Sequence, residues 1–143
     1  MRFMKRNLLL VLAALSLTAC AEKNQYEQAV LEQMQTDQDI GDYQLDAEEM
    51  TQCVVDLTSK KMPGVFPFEP RRKPYYIGYT KMLTLKQSQD PKKVLAELTE
   101  LFGSGQELAN AHRNYSESVL FCIQSLVSET EEEQLEQENK PTS

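Results

Sequence analysis

Tryptophan is absent from the 143 residues, histidine occurs once (His112), and glycine only five times. One histidine cannot build an imidazole pair around a metal ion. Three cysteines with no CxxC spacing lack the low-pKa arrangement of a redox pair. No run of glycines offers a phosphate loop, and no apolar run exceeds ten residues, which as a helix would reach about 15 Å, half of a ~30 Å hydrocarbon core. No stretch alternates apolar and polar residues at period two, so strands are not signalled. The length allows one small domain plus appendages and excludes a two-domain enzyme. Catalytic residues, metal and cofactor are therefore all expected to be absent.

What is present begins with an address. Arg2, Lys5 and Arg6, with no acid among the first 19 residues, precede the apolar run 8–17, which ends in Leu17-Thr18-Ala19-Cys20. A basic start followed by a short apolar run has the form of a secretory signal peptide. The Leu-Thr-Ala-Cys box resembles the lipobox of bacterial lipoproteins, which implies that Cys20 is lipidated and becomes the first residue of the mature chain. Cleavage after Ala19 that leaves a free thiol is the plain alternative. The implied acyl chains suffice to hold a protein on a membrane. Ala21, where Gram-negative inner-membrane lipoproteins commonly carry Asp, resembles default sorting to the outer membrane. The resemblance covers residues 1–20 only and implies a cell-envelope protein facing the periplasm.

With Cys20 assigned to lipid, Cys53 and Cys122 remain in an oxidising compartment, where a disulfide is the expected state. Both fall on apolar helical stripes. Met50, Cys53, Val54 and Leu57 recur at helical spacing behind Asp46, with Glu49 placed for a capping box. Leu108, Ala111, Tyr115, Val119, Cys122 and Leu126 do the same behind Ser104. Between these, Pro74 opens a helix to about Leu85, and Asp90-Pro91 starts another that ends at Gly103. Four prolines in 62–74 mark an irregular crossover. The expected fold is all-α: a small bundle of about four helices with a Pro-rich crossover, stapled by Cys53–Cys122. The expected divisions are a signal peptide at 1–19, Cys20 and a Gln-rich tether at 20–45, a helical domain at 46–128, and an acidic disordered tail at 129–143.

Charge is segregated. Residues 20–59 carry one base and ten acids, residues 60–93 nine bases and two acids, and residues 94–143 two bases and ten acids. The basic block either packs against acidic helices of the same molecule or faces an anionic partner. Within it, Phe66, Phe68, Arg71, Arg72, Lys73, Tyr75 and Tyr76 combine aromatic rings, prolines and a basic triplet, a composition suited to recognition, while the plainer reading has Phe66, Phe68 and Tyr76 cover the open end of the core. His112 one turn from Ser116 could imitate part of a hydrolase, but no strained nucleophile turn or oxyanion hole accompanies the pair. Gly103-Ser104-Gly105 fits a phosphate cradle less well than a helix stop followed by a cap.

The function expected is that of a non-catalytic binding or assembly module. It is held on the membrane by lipid and contacts an envelope protein or an anionic envelope component. Overall acidity argues against nucleic acid. The rivals are a small enzyme acting on peptidoglycan through His112 and a carboxylate, and a structural spacer.

Overall fold

The computed structural model describes residues 21–66 and 69–138. They form six α-helices with no strand among the described residues. The helices are α1 (21–36), α2 (Gln38–Asp42), α3 (Ala47–Lys60), α4 (Lys73–Leu83), α5 (Pro91–Phe102) and α6 (Gly105–Glu138). Short 3-10 turns at Pro70–Arg72 and Leu85–Gln87 lead into α4 and α5.

The caps are local chemistry. Asp46 accepts from the amides of Glu48 and Glu49 at 2.9 Å each, Asp90 from Lys93 at 3.0 Å, and Ser104 from Glu107 at 3.1 Å. Each gives a first-turn amide the partner that the helix itself cannot provide. Gly103, at φ 95°, closes α5 in the left-handed conformation that glycine tolerates best.

Packing then joins the helices. α3 lies on α6, α4 on α5, and α5 on α6. The Cys53–Cys122 disulfide, with Cα atoms 5.9 Å apart, staples α3 to α6. α3 and α6 run antiparallel, since Glu117 of α6 pairs with Lys61 just past the end of α3. Gly78 of α4 leaves room for the Phe102 ring of α5, which a Cβ would meet at 2.8 Å.

Two expectations about the chain ends are corrected. Residues 21–45 are not a tether: Tyr26, Val30 and Met34 of α1 and Ile40 of α2 are buried core residues. A 16-residue helix is marginal alone, and here tertiary contacts stabilise it. The Tyr26 ring lies 5.9 Å from Tyr76 and 5.4 Å from Tyr79, and its hydroxyl bonds Thr58 at 2.7 Å. The folded domain therefore reaches back past residue 46 to include α1, from residue 21 onward. The expected tail at 129–143 is helical through Glu138, with exposed side chains at 129–136. Glu and Gln favour helix, and no breaker occurs before Pro141. The expected all-α bundle with its Cys53–Cys122 staple is what the structure shows, and among the described residues α1 and α2 add to the four helices read from the sequence. The signal peptide and Cys20 lie outside the described residues.

Candidate functional site

The crossover between α3 and α4 is pinned at both ends. Met62 is buried on one side, and Arg72 and Tyr76, one helical turn apart, point into the molecule on the other. Arg72 is only 6 % exposed, and its guanidinium donates to the Gly64 carbonyl at 2.7 Å. Tyr76 meets the Ser59 hydroxyl at 3.3 Å.

Glu69 organises what lies between. Its carboxylate accepts from the Val65 amide at 2.7 Å and from Arg71 Nε at 2.6 Å, while its own amide donates to the Phe66 carbonyl at 3.1 Å. The Arg71 side chain, then the Val65 amide, hold the Glu69 carboxyl below the usual carboxylate range. Gly64 sits at φ 103°, and a Cβ there would overlap a Glu69 carboxylate oxygen. The clasp presents two neighbouring apolar side chains to solvent, Val65 at 80 % and Phe66 at 70 % exposure.

The seven residues expected to bind a partner are therefore divided. Phe66 and Arg71 are exposed. Arg72 and Tyr76 are buried and cannot touch a partner, because a helix puts residues four apart on one face and this face is inward. Tyr75 is half-buried and packs edge-on against Phe102, with ring centroids 5.8 Å apart. Lys73 is half-exposed and pairs with Glu22 of α1 at 2.9 Å. Phe68 lies outside the described residues. Sequence reasoning missed Gly64 and Glu69; the proline-rich context drew attention to the rings and cations instead.

The basic block is neutralised in part within the molecule. Lys61, Lys73 and Lys81 pair with Glu117, Glu22 and Glu97 of other helices, and Arg71 with Glu69. Lys60, Lys86, Lys92 and Lys93 have no ion pair among the described residues. The pairings hold the carboxyls of Glu22 and Glu97 below their ordinary range, chiefly through Lys73 and Lys81.

The other sequence candidates have local explanations. Ser116 donates to the backbone carbonyl of His112 at 3.1 Å, so the hydroxyl and the imidazole form no pair. Ser104 serves as a cap, as described above. No group of three or more His, Cys, Asp or Glu among the described residues could hold a metal ion. No helix among them is long and apolar enough to cross a membrane. An open groove of about 680 Å³ runs between α1 and α3, lined by Lys23, Glu27, Leu31, Glu48, Thr51 and Asp56 among others. It could not be foreseen while α1 was read as a tether. No family model, curated protein or solved structure matches the chain.

Proposed function

We propose that the protein is a lipid-anchored, non-catalytic binding or assembly module of a bacterial cell envelope, sorted to the outer membrane and facing the periplasm. The observation that carries this reading is the Leu17-Thr18-Ala19-Cys20 box at the end of a basic and apolar leader. The Cys53–Cys122 disulfide supports it, since structural disulfides persist in oxidising compartments. The clasped turn supports the binding role. Val65 and Phe66 are held out in water by hydrogen bonds to their own backbone, so docking them would cost little conformational entropy. Its partner would be an envelope protein or an anionic envelope component.

Metabolic labelling with a palmitate analogue tests the anchor. Label on the wild-type chain, lost in Cys20→Ser together with membrane retention, is the expected result; an unlabelled wild type refutes it. Crosslinking in native membranes tests the module. A dominant adduct should disappear in Phe66→Ala/Arg71→Glu while helicity is unchanged, whereas an adduct that persists would remove the turn as the recognition surface.

A further inference from the structure

Three contacts place the clasped turn and the start of α1 at the same end of the bundle. Glu22 pairs with Lys73 at 2.9 Å, Tyr26 bonds Thr58 near the end of α3 at 2.7 Å, and Ser59 meets Tyr76 at 3.3 Å. Since α1 is helical from residue 21, a lipid on Cys20 would be attached one peptide bond from the folded domain, with no spacer. Whatever surface holds that lipid must then lie against this end.

The chemistry of this end suits an anionic bilayer. Lys60 is exposed without an ion pair among the described residues, Lys61 stays two-fifths exposed beside Glu117, and the Arg71 side chain is 71 % exposed. Val65 and Phe66 project from the same crossover, a few residues along the chain from these cations, of which Arg71 is paired with Glu69. An exposed apolar pair flanked in sequence by cations matches the boundary between anionic headgroups and acyl chains. Charge at the far end has the opposite sign. Because α6 runs antiparallel to α3, its last turns lead away from the clasp, carrying exposed Glu129, Glu131, Glu132, Glu133 and Glu136. A negative surface would therefore attract the clasp end and repel the other, fixing the orientation.

We infer that the Val65–Phe66 turn, with Lys60, Lys61 and Arg71 flanking it in sequence, is a membrane-docking surface that inserts into the headgroup region of an anionic lipid bilayer. The inference rests on the lipoprotein reading for the place of the anchor, and on the turn's own geometry for the contact.

Because the chain has no tryptophan, a single substitution becomes a unique fluorescent reporter. Phe66→Trp would be compared with Phe121→Trp, a site on α6 that is also solvent-exposed. Each full-length, acylated variant would be placed in phosphatidylcholine vesicles with or without phosphatidylglycerol. The expected result is a blue-shifted emission at position 66, quenched by acyl-brominated lipid, only in the anionic vesicles and not at position 121. Emission at 66 that stays water-like, or that responds equally in neutral vesicles or equally at 121, overturns the inference and returns the turn to a protein partner. A second arm uses the mature chain, residues 20–143, with Cys20→Ser, whose sedimentation with anionic vesicles should weaken about fivefold on adding Lys60→Gln; unchanged sedimentation counts against the proposal. Mass spectrometry of the N-terminal peptide separates the two ideas. An acylated Cys20 with the indole at position 66 still in water leaves the anchor and removes the docking surface. An unacylated Cys20 with that indole in the bilayer does the reverse.

Discussion

Glu69 shows how one half-buried side chain can set the shape of a loop. With two oxygens it meets the Val65 amide and the Arg71 guanidinium, and its position requires that residue 64 have no Cβ. Its carboxyl is depressed in the folded protein, so the stability it contributes is complete above the unfolded value of 4.5 and is lost as pH falls through the lower folded value. Acidification below that window should release the Val65 amide. Hydrogen exchange, corrected for intrinsic rates, should show Val65 protected near neutrality and unprotected in acid, and Glu69→Gln should weaken protection at neutral pH. Protection that ignores both pH and the substitution would show that the clasp is not held by this carboxylate. Gly64→Ala perturbs the same point from the backbone. A side chain at φ 103° costs about 1–3 kcal/mol, and Glu69 must swing away to admit the methyl. Urea unfolding should register that loss, and Val65 should lose its protection with it.

At the level of elements, α1 carries the sharpest prediction, because a tether and a core helix respond oppositely to truncation. Met34→Ala should cost roughly 2–4 kcal/mol in urea unfolding if α1 is core, and nothing if it is a tether. Tyr26→Phe should cost about 1 kcal/mol, since the ring stays and only the bond to Thr58 goes; Thr58 keeps its bond to the Val54 carbonyl at 2.8 Å. The elements readable from the sequence alone were those whose signals are local. Asp46, Asp90, Ser104 and Gly103 act within a turn of themselves, so α3, α5 and the start of α6 appear where their caps place them. α1 depends on Thr58, Tyr76 and Tyr79, between 32 and 53 positions further along, and no local pattern reports such partners. The candidate site divides the same way. Its exposed aromatic and cation were visible as composition, whereas the separation of Arg71 from Arg72 needed the helical register of α4.

Across the whole molecule, the tyrosine cluster joins α1, α4 and α6, and it ties stability to alkaline pH. Burial is the main cause that pushes Tyr79 up to about 12, against a lowering by its hydrogen bond with Asn114, and burial likewise raises Tyr26 and Tyr115. For an acid whose folded value is raised, stability is full below the unfolded value of 10.0 and declines as pH climbs from there through the folded value. The three phenols should therefore ionise together with unfolding, so that their own ring signals, followed by NMR apart from exposed Tyr43 and half-buried Tyr75, share one transition above pH 10 with the loss of helical circular dichroism. Three protons released together give a slope of roughly 4 kcal/mol per pH unit. The Cys53–Cys122 link closes 69 residues and contributes a similar amount, about 4 kcal/mol by chain entropy. Reducing it should move the alkaline midpoint down by about one pH unit with the two signals still coincident. If ionisation of Tyr26, Tyr79 and Tyr115 runs ahead of helix loss instead, the cluster is open to water and α1 is not seated in the core as described.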